Sequence, residues 1–375
     1  MESNNENNLL SCFSIIEDPR LDRKKRHKLL DILAIAICAV LCHAETWNEM
    51  QQFGESKKEW FQTFLDLPNG IPSHDTFRRV FILLDPEEFK TSFQMWVQTI
   101  AQKIDKEIIS IDGKTSRRTR GAGKKALHMV SAFANENGLV LGQIKTDEKS
   151  NEITAIPKLL KKLEIAGCIV TIDAMGTQKT IAHEIINKNA DYVLSLKGNH
   201  ELFHQEVEEF FTDAFKRDFK DVEHSSYETV EKDHGRIETR RYWLTSDIEW
   251  FSEKLQWKDL KSIGAVRATR EIGENISCET RYYITSLQGD VKEFARAVRG
   301  HWGIENSLHW VLDIAFREDD SRIRTGNAPE NMAILRQLVL NLVKQGDSSK
   351  KIGIKSKRKK AGWDNDYLAS LLKNF

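Results

Sequence analysis

The stretch Ile-Ile-Ser-Ile-Asp-Gly-Lys at residues 108–114 decides the fold, because a β-branched apolar run there ends in an aspartate and a glycine. β-Branched residues favour strands and Asp-Gly favours a turn, so this stretch predicts a buried strand over 108–111 followed by a turn. Two more strand-like runs follow at 128–134 and 139–146, and Asn-Glu-Asn-Gly at 135–138 suits the turn of a hairpin between them.

Helices and strands alternate after this hairpin. Residues 151–163 have apolar positions at helical spacing, and 168–172 form a short apolar run that ends in Asp173. A second helix is predicted over 177–188 and a further strand over 192–196. The order β-β-β-α-β-α-β predicts the α/β class, with a mixed sheet flanked by helices.

The segments on either side of this core have a different character. Leu29–Ala44 is apolar nearly all round, which is typical of the core helix in a small bundle. Beyond residue 200 short strand-like runs predict a β-rich insertion, and long helices are predicted over 291–313 and 329–343. The predicted organisation is an N-terminal helical domain (1–100), the first part of the core (101–200), the insertion (201–290), the last core helices (291–345) and a basic tail (346–375), which we expect to be disordered without a partner.

Composition limits the location and the partners of the protein. The 375 residues carry 56 basic and 56 acidic side chains, so any binding of nucleic acid must depend on local basic clusters. Five scattered cysteines are typical of a reducing cytoplasm rather than of a disulfide framework. We expect no signal peptide at the N-terminus, and the most apolar run, 32–42, is too short to cross a bilayer.

Two aspartates occupy matching positions at the ends of predicted strands. Asp112 and Asp173 each close a buried run, so rigid backbone can bring both carboxylates to one edge of the sheet. Carboxylates at such an edge can hold two divalent cations for phosphodiester chemistry, and Mg²⁺ prefers oxygen ligands of this kind. The alternative is that each aspartate only shapes a turn.

Glu305 is the candidate for a third metal-binding acid. On a helix it shares one face with His301 and His309, at spacings of four residues on either side. A zinc site formed by these three residues is an alternative, although zinc usually has a further nitrogen or sulfur ligand. Asp313 and the acidic run 318–320 are rival third acids, and the run is more typical of a solvated face.

Six motifs together resemble a known family. They are Ile-Pro-Ser-His-Asp-Thr-Phe-Arg-Arg-Val (71–80), Ile-Asp-Gly-Lys-Thr (111–115), Ile-Asp-Ala-Met-Gly-Thr-Gln (172–178), Leu-Lys-Gly-Asn (196–199), His-Gly-Arg-Ile-Glu-Thr-Arg (234–240) and His-Trp-Gly-Ile-Glu-Asn (301–306). In this order they resemble the bacterial insertion-sequence transposases of the DDE type, and within them the H-repeat-associated branch. The resemblance covers roughly residues 10–345.

The resemblance implies an RNase H-like catalytic core that is interrupted before its last helix by the β-rich insertion. It implies a catalytic, metal-binding triad of Asp112, Asp173 and Glu305, with Mg²⁺ or Mn²⁺ as the cofactor. It also implies cleavage and strand transfer of DNA at terminal inverted repeats and target sites, by a homo-oligomer assembled on DNA. Related transposases often carry Tyr and Arg before this glutamate and Lys after it, where this chain has Val298, His301 and Leu312.

Several basic and polar residues are candidates for contact with DNA, with solvated or ion-paired side chains as the alternative. They are Arg23, Lys24, Lys25, Arg26, Lys114, Lys197, Asn199, Arg236, Arg240, Arg299 and His301. Trp302 and Trp310 are instead predicted to pack in the core. Two other functions stay open: a catalytically inactive RNase H-like DNA-binding protein, and a general metal-dependent DNA nuclease.

Overall fold

A mixed β-sheet flanked by helices is the central layer of the computed structural model, which describes residues 8–121, 125–146, 152–233, 235–346 and 352–372. The helices before the sheet are Leu9–Phe13 (α1), Leu29–Leu41 (α2), Trp47–Ser56 (α3), Lys58–Phe61 (α4), His74–Leu83 (α5) and Pro86–Ile100 (α6). The described residues before 101 are thus mainly helical, as the sequence predicts.

The core has the predicted order of elements. These are Ile108–Ser116 (β1), Leu127–Ala134 (β2), Leu139–Thr146 (β3), Glu152–Lys161 (α7), Ile169–Ile172 (β4), Lys179–Asn187 (α8) and Asp191–Leu196 (β5). β1 pairs antiparallel with β2 and β2 with β3, whereas β1, β4 and β5 run parallel. The α/β class and the mixed, RNase H-like arrangement predicted from the sequence are confirmed.

The segment after β5 continues the same sheet. It supplies Glu201–Lys216 (α9), Ser225–Asp233 (β6), Arg236–Thr245 (β7), Ser262–Ile272 (β8) and Asn275–Thr285 (β9). Because β9 pairs antiparallel with β5, the strand order over the described residues is β3-β2-β1-β4-β5-β9-β8-β7-β6. The strands of the insertion therefore extend the core sheet.

The strand β1 is longer than the sequence predicts. Its parallel pairing with β4 ends where Ile111 meets Ile172, but its pairing with β2 continues as far as Ser116 opposite Leu127. The predicted turn after Asp112 is therefore wrong, because the long partner strand β2 holds Gly113 and Lys114 in extended conformation.

Helix α2 is buried on nearly every side, as its composition predicts. It packs against Ala328–Gln345 (α12), which is also buried for most of its length. The Asn341 side chain of α12 accepts a hydrogen bond from Val140 N (2.9 Å) and donates one to Val140 O (2.9 Å). This amide covers part of the open edge of β3. No helix among the described residues has both the length and the apolar character needed to cross a membrane.

The basic tail contains ordered helices, so the prediction of a disordered tail is wrong for the part that is described. Lys350 and Lys351 lie outside the described residues, whereas Ile354–Trp363 (α13) and Asn365–Leu371 (α14) pack on the helical core. Arg358 is buried and stacks over the Phe316 ring at 4.0 Å. Apolar residues on α14 and this arginine give the segment a buried face. The many lysines of the segment make this face difficult to recognise from the sequence.

Arg358 joins the ends of two helices. Its guanidinium donates to Val40 O near the end of α2 (Nη2, 2.6 Å) and to Ala315 O near the end of Trp310–Phe316 (α11). Both carbonyls belong to last helical turns, which have no partners within their own helices. A cation at these positions also interacts favourably with the helix dipoles. Arg358 therefore links the N-terminal helices to the last part of the core.

The segment 291–316 is helical throughout, and its first helix lies on the sheet. Val291–Ile304 (α10) runs into a π-helical turn, Glu305–His309, which continues into α11. Two glycines let α10 approach β1: a Cβ atom at Gly300 would lie 2.7 Å from Ile108 Cδ1, and one at Gly303 would overlap the Asn135 amide. Glycine thus sets how closely the helix that leads to Glu305 can approach the sheet.

We expect Gly300→Ala to lower the free energy of unfolding by about 1–3 kcal/mol, because the added methyl group overpacks against buried Ile108. Gly362→Ala in α13 is the matched control, since a Cβ atom there meets its nearest neighbour at 3.6 Å. Its higher helix propensity should stabilise the protein by about 1 kcal/mol. Urea unfolding measures both, and stabilisation by Gly300→Ala would contradict the close approach.

We expect Arg358→Met to destabilise the protein by about 3 kcal/mol, because it removes the buried hydrogen bonds from the guanidinium to Val40 O and Ala315 O. Lys359→Met, at the exposed neighbouring position, should change stability by less than about 0.5 kcal/mol. Thermal and urea unfolding followed by circular dichroism compare the two variants. Equal stability of the two would show that the guanidinium contributes nothing to the packing of the tail.

Candidate functional site

Two aspartates lie side by side at the carboxyl end of the parallel strands. Asp112 is in β1, one residue beyond the last pair with β4, and Asp173 directly follows β4. The Asp173 Oδ1 atom accepts hydrogen bonds from Met175 N (3.1 Å) and Gly176 N (3.2 Å), which orients its carboxylate. The strand geometry therefore brings the two predicted acids to one edge of the sheet.

The third predicted acid reaches Asp112 from the helical side. Glu305 begins the π-helical turn, and His309 ends it. The His309 Nδ1 atom lies 3.0 Å from Glu305 Oε2 and 3.6 Å from Asp112 Oδ2. Asp112, Glu305 and His309 each offer one ligand atom, and these three atoms lie within 4.8 Å of one another. π-Turns inside helices are frequent at functional sites.

All three acids line one cavity of about 380 Å³, which we call the carboxylate cavity. The same wall carries Lys197, Arg281, His301 and Trp302. Lys197 is exposed, and Arg281 lies over the Trp302 ring at 5.8 Å from its centroid. The cavity therefore combines three carboxylates with cationic and aromatic side chains in its lining.

The protonation of the cavity depends on burial and on His309. Burial raises the pKa of Asp112 to about 6, against the opposing effect of nearby His309, and the neighbouring Asp173 carboxylate adds to the rise. The hydrogen bond from His309 lowers the pKa of Glu305. Burial lowers the pKa of His301. A cation that entered the cavity would offset the cost of ionising Asp112 in its buried position.

Lys114, predicted to contact DNA, lies inside a group of acids. Its Nζ atom is 2.7 Å from Asp313 Oδ1, 3.7 Å from Asp319 Oδ1 and 4.0 Å from Glu318 Oε2. The prediction of a solvated face over 318–320 is therefore wrong for Glu318, which is 3% exposed, whereas Asp320 is exposed and pairs with Arg118 at 3.0 Å. Asp313 and this run are therefore ion-pair partners of the basic side chains that follow Asp112 in the chain.

Two other predicted residues, Asn199 and His301, are hydrogen-bonded to residues that line the cavity, whereas the basic cluster before α2 is not part of it. The Asn199 side chain donates to Ala174 O (2.6 Å), which ties the loop after β5 to the loop after Asp173. The ring of His301 is hydrogen-bonded through Nδ1 to Thr171 Oγ1 (3.1 Å). Arg23, Lys24, Lys25 and Arg26 are exposed before α2, and none of them lines the carboxylate cavity.

A groove of about 600 Å³, which we call the arginine groove, adjoins the cavity. Its wall includes Arg236, Arg240, Arg270, Arg281 and Arg299, and it shares Arg281, Tyr283, Val298 and Trp302 with the carboxylate cavity. Glutamates partly neutralise it, since Arg240 pairs with Glu231 (3.0 Å) and Arg299 with the same carboxylate (3.3 Å). Arg236 lies 3.6 Å from Glu238.

The structure corrects two predictions of core packing. Trp302 is 46% exposed and Trp310 is 59% exposed. Helical spacing placed both on a helix that covers the core, but it could not show which side of that helix faces solvent. For His309 the helical spacing was informative: it indicated a donor next to Glu305, and the structure places the His309 ring between two carboxylates.

Comparisons with known proteins agree on one family. Residues 103–342 match the family described as "Transposase DDE domain", and residues 10–97 match the one described as "DDE_Tnp_1-associated". The chain is 45% identical over 370 residues to "Putative transposase YncI" of Escherichia coli O157:H7, which covers 97% of this chain and 94% of that protein.

A second relative has similar coverage. "H repeat-associated putative transposase YhhI" of Escherichia coli strain K12 is 41% identical over 372 residues, 97% of each chain. Among solved structures, a piggyBac transposase synaptic complex with hairpin DNA superposes with a TM-score of 0.46 at 12% identity, over 98% of this chain and 82% of that one.

Proposed function

The chain belongs to the family of transposases with a DDE domain, and from this premise we propose that it cleaves DNA at the ends of an insertion sequence and joins the cut strands to target DNA. The observation that carries the proposal is the meeting of Asp112 and Glu305, 193 residues apart in the chain, with ligand atoms within 4.8 Å. Asp173 lines the same cavity.

We assign Asp112, Asp173 and Glu305 as the ligands of Mg²⁺, with Mn²⁺ as a substitute. The residues fit such an ion, because hard carboxylate oxygens from three elements face one cavity and His309 Nδ1 already lies between two of them. When bound, divalent cations would activate the attacking hydroxyl and stabilise the leaving oxygen of the phosphodiester. The chain itself holds Asp173 through two backbone N–H groups and keeps Glu305 beside Asp112 through His309.

We propose that the DNA strand passes from the carboxylate cavity into the arginine groove. Both share Arg281 and the exposed ring of Trp302, so a phosphate and a base leaving the cavity would meet a cation and an aromatic face. Lys197 lines the cavity and Asn199 is bonded to Ala174, which also lines it, while Arg236, Arg240 and Arg299 continue along the groove. Contact in the groove requires these arginines to exchange carboxylate partners for phosphates.

The basic cluster Arg23–Arg26 is exposed, and we assign it to backbone contact at a more distant part of the DNA. Lys114 is surrounded by three acids, and we assign it to balancing their negative charge beside Asp112. It would contact a phosphate only after these ion pairs open. The enzyme would act as a homo-oligomer that pairs two DNA ends. We place it in the cytoplasm, in keeping with the free thiols of all five cysteines in the described chain.

We expect Asp112→Asn or Asp173→Asn to reduce Mg²⁺-dependent strand cleavage by at least about 10³-fold, because the site loses a charged ligand. DNA binding should stay within about twofold, since the substitutions leave the basic surfaces intact. The assay is nicking of a duplex that carries the element's terminal repeat, with gel-shift affinity as the second readout.

Asp213→Asn, on the exposed side of α9, is the matched control and should cleave like the unchanged protein. Cleavage by the Asp112 variant at the unchanged rate would refute the assignment. Absence of cleavage by the unchanged protein would favour an inactive DNA-binding protein, and cleavage without preference for the terminal repeat would favour a general nuclease.

We expect Trp302→Ala to weaken binding of an end with a single-stranded overhang about tenfold, because a base–aromatic stack is worth about 1–3 kcal/mol. Trp250→Ala is the control, since Trp250 is similarly exposed (43%) but lines neither the cavity nor the groove. Fluorescence anisotropy with labelled DNA compares the variants, and equal losses would remove Trp302 from the DNA path.

A further inference from the structure

Each of the three acids is preceded on its own strand or helix by a polar residue on the same side. Ser110 precedes Asp112 by two residues in β1, and Thr171 precedes Asp173 by two residues at the end of β4. Side chains two apart in a strand share one face of the sheet. His301 precedes Glu305 by four residues, which is one helical turn on the same side of the helix. Each acid therefore has a polar neighbour below it on its own element.

These three neighbours are hydrogen-bonded to one another. Ser110 and Thr171 are paired residues of the parallel strands β1 and β4, and their Oγ and Oγ1 atoms lie 3.3 Å apart. The Thr171 Oγ1 atom is also 3.1 Å from His301 Nδ1. Ser110 is 0% exposed and Thr171 is 2% exposed. The contacts thus form a chain from α10 across β4 to β1, beneath the carboxylates.

The chain returns to the helix from which it starts. The Ser110 hydroxyl donates to Gly300 O at 3.3 Å, and it accepts a hydrogen bond from Asn135 Nδ2 at 2.8 Å. The second N–H of that amide donates to Ile108 O at 2.9 Å. α10 is therefore bound to the sheet at two successive residues, Gly300 and His301.

The number of hydrogens that the side chains can donate determines which member of this hydrogen-bond network is the donor at each contact. Each hydroxyl has one hydrogen to donate. Ser110 gives its hydrogen to Gly300 O, so Thr171 donates to Ser110 and His301 Nδ1–H donates to Thr171. This order places the hydrogen of the neutral imidazole on Nδ1. Every member then has a partner, and a fully satisfied buried network specifies one arrangement of the elements it joins.

We propose that Ser110, Thr171 and His301 are positioning residues, which set the distance of Glu305 from Asp112 and Asp173 by tying α10 to both strands. The inference rests on the proposed function for its consequence in catalysis, and on the hydrogen bonds alone for its geometry. Groups that orient metal ligands through hydrogen bonds typically affect metal affinity by about 10–100-fold.

The test compares Thr171→Val with Thr171→Ser in the full chain. Valine keeps the shape but removes the hydroxyl, and serine retains the hydroxyl. We expect Thr171→Val to bind Mn²⁺ at least about tenfold more weakly, measured from the electron paramagnetic resonance signal of free Mn²⁺, and Thr171→Ser to restore the affinity. Thr245→Val is the matched control, because Thr245 is equally buried and donates to Glu223 O, on the inserted part of the sheet.

Unchanged Mn²⁺ affinity in a folded Thr171→Val would overturn the proposal, and so would equal losses in the Thr171 and Thr245 valine variants. A second readout uses the unchanged protein: the ¹⁵N shifts of His301, assigned by the loss of its signals in a folded His301→Gln variant. The Nδ1–H tautomer is the expected result, and the Nε2–H tautomer would contradict the chain of donors. If the unchanged protein shows the Nδ1–H tautomer but binds no Mn²⁺, the proposed metal site fails while the hydrogen-bonded chain stands.

Discussion

The close packing of α10 on the parallel strands β1 and β4 is the constraint on which the site depends. Asp112 and Asp173 lie at the ends of adjacent strands, so the backbone pairing of these strands places them. Glu305 follows a helix, which has no backbone pairing with the sheet. Without side chains at Gly300 and Gly303 the helix axis can lie near Ile108 and Asn135. The π-turn then directs Glu305 and His309 toward Asp112. Two glycines on a helix thus help to set the position of a carboxylate that lies several residues further along the chain.

The insertion takes part in this arrangement through the sheet. Since β9 pairs with β5, the chain that leaves the core after β5 returns beside it before α10 begins. Tyr283 in β9 and Phe294 in α10 meet edge to face, with ring centroids 5.7 Å apart. The inserted strands therefore support the helix that carries the third acid, and they extend the cavity into a groove lined by arginines. One continuous sheet therefore fixes Asp112 and Asp173 relative to the groove.

Sequence patterns predicted the order of core elements and the proximity of Asp112 and Asp173, because strand periodicity and strand ends are local properties. Glu305 was assigned to the same site from helical spacing and mainly from the family resemblance. They missed features that depend on distant partners. β1 continues past Asp112 only because β2 stays paired with it, and Lys114 is surrounded by acids about 200 residues away in the chain. The exposure of Trp302 and the burial of Arg358 depend on which neighbours cover a helix face, which helical spacing does not contain. The Ser110–Thr171 contact is invisible without the register of β1 against β4.

The contact of Arg358 with the end of α2 also bears on the order in which the protein can reach its final state. Val40, whose carbonyl accepts from this guanidinium, is synthesised 318 residues earlier than Arg358. During translation the apolar helix α2 therefore emerges long before α12 and α13, which cover part of it. Unfinished chains would display that helix to solvent and to one another, so aggregation of nascent or truncated chains competes directly with completion of the fold. A chain that ended before α12 would thus leave this apolar helix without a large part of its cover.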